Sequence, residues 1–176
     1  MAEPLIMFVC TANICRSPWA ELRGQQALPG FRVRSGGILR QTVGQPMDET
    51  MAATLPPEVS ADAHRAQLIS RELATKAALI LTMEQQHRLW LVDEYPSAIR
   101  KVFQIGQFVA AVRHAPTDLG FDELLRWAYL NRGPASTEHD VKDPYRQGPE
   151  KAAQTAAELD QLITELAGIL TASLGR

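Results

Sequence analysis

A chain of 176 residues, 45% hydrophobic and 22% charged, has the length and balance of one ordinary globular domain that can bury its own core without staples. Its 18 Lys and Arg against 20 Asp and Glu leave a formal net charge of −2, which gives no electrostatic reason to expect nucleic acid or an anionic membrane as partner. With only Cys10 and Cys15 present and no His cluster beside them, a disulfide framework is excluded and a closed zinc site is not supported.

The opening "MAEPLIMFVCTAN" has no basic stretch before its apolar run, and no later window approaches the ~20 apolar residues of a membrane span. The expectation is a single cytoplasmic domain over 1–176 without membrane insertion. Residues 5–10, "LIMFVC", read as a buried parallel strand, and "PWAELRGQQAL" from Pro18 to Leu28 as a helix. Ser17 is the expected N-cap of that helix, with Pro18 at its first position, where the missing N–H costs nothing. "FRVRS", 31–35, alternates as a second strand; 47–55 and 68–77 read as helices. "ALILTM", 78–83, repeats the buried-strand pattern before a helix through "EQQHRLWLV". "KVFQIG", 101–106, is a fourth strand, followed by helical "QFVAAVRH".

From Pro149 onward Ala152, Ala156, Leu159, Ile163, Leu166 and Ile169 recur at helical spacing, which predicts a long terminal helix with one apolar face. Strands alternating with helices imply an α/β fold, a four-stranded parallel twisted sheet with helices on both faces. The exception is 114–142, a mostly polar insert in which Phe121, Leu124, Leu125 and Ala128 suggest one short amphipathic helix. Connections this long are usually functional lids or inserts.

The chemistry concentrates in "VCTANICRSP", residues 9–18. A turn between a buried strand and a helix N-terminus gathers backbone N–H groups at one spot, and the helix dipole adds positive charge there. Cys10, last in the strand, would place its sulfur at the floor of this nest, where a thiolate nucleophile is favoured. Arg16 closes the loop with a planar fork able to hold two phosphate oxygens. Ser17 can donate its hydroxyl to the Cys10 sulfur, and Asn13 is a residue type that tolerates a left-handed backbone. The combination points to phosphoryl transfer through sulfur.

These residues resemble the low-molecular-weight protein tyrosine phosphatases, whose signature is close to V-C-x-G-N-x-C-R-S-P. "VCTANICRSP" departs from it only at Ala12, where the family has glycine. A second family landmark, Asp-Pro followed by an aromatic residue, is matched by Asp143, Pro144 and Tyr145. "SGG" at Ser35, "GQPMD" ending at Asp48, "HRA" at His64 and "LILTM" are further echoes. The resemblance implies a flavodoxin-like topology with phosphate held by the loop Thr11, Ala12, Asn13, Ile14, Cys15, Arg16 and Ser17. It further implies Cys10 as nucleophile, Arg16 as phosphate clamp, and Asp143 as general acid and then base.

By the same likeness Asn13, Ser17, Ser35 and His64 form a polar network supporting the loop. Cys15 could shield Cys10 as a reversible disulfide partner, the bland alternative being a small buried hydrophobe. The segment 38–42 offers Ile38, Leu39 and Gln41 to the substrate wall, of which Ile38 and Gln41 with Tyr145 would form it. Trp127 or Tyr129 of the insert could add to that wall, or Trp127 could simply anchor the insert's helix. No metal or cofactor is implied, and the substrate would be a phosphotyrosine-containing protein, a bacterial tyrosine kinase being one such class.

Within the family, phosphoarginine-hydrolysing members tend to carry Thr where this chain has Ile14. Arsenate reductases on the fold pass oxidation to downstream cysteines, and none follows Cys15, which leaves only a reductase coupled to a small thiol. A catalytically silent phosphate- or phosphopeptide-binding module is the alternative of a different class.

Overall fold

In the computed structural model, which describes residues 2–175, the apolar run Leu5–Cys10 forms β1 and is buried along its whole length. It lies between β2 (Arg32–Gly37) and β3 (Leu79–Thr82), with β4 (Val102–Gln104) outermost, in the order β2-β1-β3-β4. All pairings are parallel. Successive strand residues face opposite sides, so β1 feeds two cores. Ile6, Phe8 and Cys10 join the core built from α1 (Arg16–Ala27), α5 (Ile105–Val112) and α7 (Pro149–Leu174). Leu5, Met7 and Val9 join the other, with Ala74 of α3 (Arg71–Lys76) and Leu91 of α4 (Gln85–Glu94). A strand buried on both faces reads as the unbroken apolar run seen in the sequence.

Three boundaries differ from the sequence-based reading for identifiable reasons. β2 runs on through Gly36 and Gly37, which pair with Val9 and Cys10, although glycine is a poor strand former. A Cβ on Gly37 would lie 2.8 Å from the Thr11 carbonyl oxygen and 3.0 Å from the Asn13 nitrogen, so this strand end must be bare for the loop to seat against it. β4 stops at Gln104, because Ile105 already opens α5.

The first helix starts at Arg16, not Pro18, and Ser17 is not its cap: the N-cap position is Cys15, without a side-chain cap, because the Ser17 hydroxyl is turned into the loop. The short α2 (Glu49–Ala52) and α3 do have side-chain caps, Asp48 accepting from Met51 N–H and Ser70 from Leu73 N–H.

The 114–142 segment is ordered around α6 (Phe121–Asn131), which packs on α5 and α7 with Leu124 and Ala128 buried and Phe121 edge-on to Phe31. Beyond α6 the chain returns along the free side of β4. Arg132 and Arg88 both donate to the Val102 carbonyl, at 3.0 and 3.2 Å, and the Gln104 side chain exchanges hydrogen bonds with Ser136 O and N at 2.8 and 3.1 Å. This return path covers the edge strand that would otherwise present unpaired backbone groups. It ends with Val141 N–H on the Met83 carbonyl at 2.8 Å, beside the C-terminal end of β3.

Candidate active site

Ligands of open α/β sheets bind at the carboxyl ends of the strands where the order reverses, and here that point is the end of β1, flanked by β2 and β3. The loop after β1 is held by its carbonyls. Thr11 O accepts from Ile38 and Leu39 N–H at 2.9 Å each, Ala12 O from the Thr42 hydroxyl at 2.8 Å, and Ile14 O from Asp48 N–H at 2.8 Å. The His64 Nε2–H donates to Asn13 O at 2.8 Å. With successive carbonyls bonded outward to the body, the loop's N–H groups are left facing its centre, and Asn13 N–H reaches the Cys10 sulfur at 3.3 Å.

Asn13 makes this possible with φ of 57°, a left-handed conformation its residue type tolerates. Its buried side chain is fully used: Nδ2 donates to Ser17 Oγ and Ser35 Oγ, both at 2.8 Å, and Oδ1 accepts from Gln67 N–H at 2.9 Å. The Ser35 hydroxyl donates a hydrogen bond to the Glu21 carboxyl, which is pushed up by burial against the pull of Ser35, His64 and Arg34. Because Ser17 Oγ accepts from Asn13, its hydroxyl proton is free to point at Cys10 Sγ, 3.0 Å away.

Arg16 is 1% exposed. One terminal nitrogen is anchored to the Glu84 carboxylate and, at 2.7 Å, to the Val141 carbonyl; the other lies 3.3 Å from Asp143 Oδ2. Nε has no hydrogen-bond partner among the described residues. The guanidinium is thus gripped by one corner while its Nε edge remains for two oxygens of a ligand. Burial alone would raise the Glu84 carboxyl, but the Arg16 hydrogen bond and charge, with help from His87 and Gln86, outweigh it and hold Glu84 below the usual carboxylate range.

His87, fully buried at the start of α4, is pushed down to about 4 by burial and by Arg16, against Glu84 and Asp143. It is therefore neutral near pH 7. Its Nδ1 accepts Glu84 N–H at 3.1 Å, so the ring proton sits on Nε2 and is donated to Thr11 Oγ1 at 2.8 Å.

Cys10, Thr11, Ile14, Cys15, Arg16, Leu39, Gln41, Thr42, Asp143 and Tyr145 line one cavity of about 290 Å³. Of the residues expected to form its wall, Gln41 and Tyr145 are there, whereas Ile38 is not. Alternation along the extended chain turns Ile38 onto the second core, and Leu39 takes its place. Trp127 and Tyr129 are likewise absent from the lining; Tyr129 packs on the first core, with Arg132 over its ring at 4.7 Å. Asp143, half-exposed, accepts Tyr145 N–H at 3.1 Å. Cys15 is buried, and its thiol is pushed up by burial, then by Asp48, Asp143 and Cys10, against Arg16.

At Ala12 the φ is not positive, so the departure from glycine imposes no backbone strain; the glycine that close approach requires is Gly37. Ala12→Gly is expected to change turnover of p-nitrophenyl phosphate by less than about threefold, within the range of mild surface changes. Gly37→Ala is expected to destabilise the protein by about 1–3 kcal/mol in urea unfolding, from overpacking against backbone that cannot yield. A change of more than about tenfold in turnover for Ala12→Gly, or unchanged urea stability for Gly37→Ala, would refute this placement of the essential glycine.

Glu84, His87, Thr42 and Gln67 escaped the sequence reading. The available signal was positional: "EQQH" opens the helix after the strand next to β1, at the ligand-binding end of the sheet.

Residues 5–120 match the family model described as low molecular weight phosphotyrosine protein phosphatase. Wzb of Escherichia coli K12, a low molecular weight protein-tyrosine-phosphatase, is 30% identical over 95% of both chains. A protein-arginine-phosphatase of Geobacillus stearothermophilus is 29% identical over 92% of this chain and 93% of its own. Among solved structures, Vibrio vulnificus Wzb in complex with benzylphosphonate superposes with a TM-score of 0.74 at 26% identity, covering 94% of this chain and 98% of that one. The four-stranded parallel sheet, the cysteine loop after its first strand and these similarities together place the chain in the low molecular weight phosphotyrosine protein phosphatase family.

Proposed function

We propose that this protein hydrolyses phosphotyrosine in proteins through a phosphocysteine intermediate, with Cys10 as nucleophile, Arg16 as phosphate clamp and Asp143 as acid and base. The observation that carries the reading is the convergence of the Cys10 sulfur, the unpartnered Arg16 Nε and the Asp143 carboxylate on one small cavity.

In the first step Cys10 Sγ attacks phosphorus, the Arg16 Nε edge and the loop N–H groups take the equatorial oxygens, and the bond to the phenol oxygen breaks as Asp143 protonates it. In the second, Asp143 accepts a proton from water, the water oxygen attacks phosphorus, and Cys10 leaves with the bonding pair. Ser17 Oγ–H and Asn13 N–H, at 3.0 and 3.3 Å, stabilise the departing sulfur. Orthophosphate is released. Cys15, kept as a thiol by its buried surroundings, takes no part in transfer. The substrate is a phosphotyrosyl protein, with a tyrosine kinase that carries phosphotyrosine a first candidate. Among the described residues no helix is long and apolar enough to cross a membrane. A cytoplasmic setting is part of the proposal and follows from a phosphotyrosyl protein made by a kinase that draws on nucleoside triphosphate.

Turnover of a phosphotyrosine peptide beside phosphoarginine, and beside arsenate with a small thiol, separates this reading from its relatives. Phosphotyrosine is expected to be preferred, and preference for either alternative overturns the assignment. For Asp143→Ala we expect a loss of about 10²–10⁴-fold with phosphotyrosine, whose leaving group needs the proton, and a much smaller loss with an activated phenol. An equal loss on both would remove Asp143 as general acid.

A further inference from the structure

The cavity over Cys10 is not the whole cleft. On the far side of Thr11 and Asp143 a second hollow of about 520 Å³ opens, and those two residues line both. Its walls come from the start of α4, the end of the 114–142 insert and the first turns of α7. A polypeptide whose phosphotyrosine enters the first cavity has its main chain at the rim, within reach of the second.

The charges in this lobe are unequally committed. Every carboxylate on its floor is engaged: Glu84 by Arg16 and Gln86, Asp140 by Gln85 N–H and the Gln104 amide, Asp143 by Arg16 and Tyr145 N–H. Lys142 and Lys151 also line it, both are exposed, and neither forms an ion pair among the described residues. Lys151 donates only to Gln154 Oε1, at 3.1 Å, and Lys142 acts on Glu158 only at longer range. The uncommitted groups facing an incoming chain are therefore positive, although the protein as a whole is negative.

We infer that this lobe is a substrate subsite that receives the residues flanking the phosphotyrosine, and that Lys142 and Lys151 select acidic side chains there. The inference rests on the phosphatase reading and names the substrate class of that site. Two solvent-facing ion pairs give a modest rate advantage that salt screens.

The test uses three phosphotyrosine peptides of equal length, with Glu, Ala or Lys on both sides of the phosphotyrosine, alongside p-nitrophenyl phosphate, which has no flanks. At low ionic strength the wild type is expected to favour the Glu peptide over the Ala peptide by about three- to tenfold in kcat/KM, with the Lys peptide slowest. At about 0.5 M salt the difference should collapse. K142A/K151A should lose the preference and keep its turnover of p-nitrophenyl phosphate, and K142E/K151E should reverse the order. Equal rates on all three peptides, a preference that survives K142A/K151A, or a double variant equally slow on p-nitrophenyl phosphate would each overturn the subsite. A wild type active on p-nitrophenyl phosphate but on none of the peptides overturns the phosphotyrosine reading and the subsite that rests on it, and leaves only the phosphatase chemistry standing. A wild type no faster than Cys10→Ser on p-nitrophenyl phosphate ends the phosphatase reading and the subsite with it.

Discussion

Cys10→Ser is expected to lower kcat for p-nitrophenyl phosphate by about 10⁴-fold or more while leaving the affinity for inorganic phosphate within a few-fold of wild type. A serine hydroxyl at this position would have to lose its proton to attack, and the contacts around the sulfur are donors: Ser17 Oγ–H and Asn13 N–H. No base adjoins it. The rest of the cradle, held by carbonyl bonds to Ile38, Leu39, Thr42, His64 and Asp48, does not depend on the sulfur and should keep its shape. Steady-state kinetics and a phosphate titration measure the two halves separately. Phosphate transfer to Cys10 is checked by rapid acid quench and mass spectrometry, with the modified peptide expected in the wild type and missing in the variant. Turnover by Cys10→Ser within tenfold of wild type would falsify the nucleophile assignment.

Arg16→Lys should cost about 10²–10³-fold in kcat/KM, most of it in kcat, although charge is conserved. The guanidinium performs several tasks at once. One nitrogen holds Glu84 and the Val141 carbonyl, another faces Asp143, and Nε is left for the ligand. A single ammonium offers no planar pair of donors to follow two oxygens as the phosphoryl group flattens, and it cannot hold Glu84 and phosphate at the same time. Where it stays on Glu84, the clamp is lost; where it leaves, a partly buried carboxylate loses its partner. A fall in stability of about 1–3 kcal/mol by urea unfolding should therefore accompany the kinetic loss. If Arg16→Lys keeps near wild-type kcat, the fork is dispensable and the transition-state role belongs to the loop N–H groups alone.

Much of the site could be read from one segment because its parts are sequential. Cys10, Asn13, Arg16 and Ser17 lie on one turn between one strand and one helix, and local geometry brings them together whatever the rest of the chain does. Asp143 was legible by resemblance but not by proximity. It is brought to Arg16 by a return path that runs along β4, held by Gln104, Arg132 and the Val141 to Met83 hydrogen bond. The same path explains the insert, whose polar composition suggested a lid. Arg132 satisfies the Val102 carbonyl on the free edge of the sheet and Ser136 is tied to the Gln104 side chain of the same strand, a demand that exists only once the strand order is known. Ser17 was misread as a cap because a serine before a proline is the usual helix-start pattern; the competing acceptor, the Cys10 sulfur, became visible only when the loop closed.

The sequence by itself determined the alternation of buried strands and helices, the terminal amphipathic helix, and the turn after the first strand that carries Cys10, Asn13, Arg16 and Ser17 together. Periodicity and short-range spacing encode those features directly. Only the tertiary structure decided that Glu84 anchors Arg16, that His87 fixes the Thr11 hydroxyl, that of Ile38 and Leu39 it is Leu39 that lines the cavity, and that a hollow rimmed by Lys142 and Lys151 lies beside it. These depend on which residues, 68 or 76 positions apart in the chain, meet across the strand ends, and no local pattern carries that information.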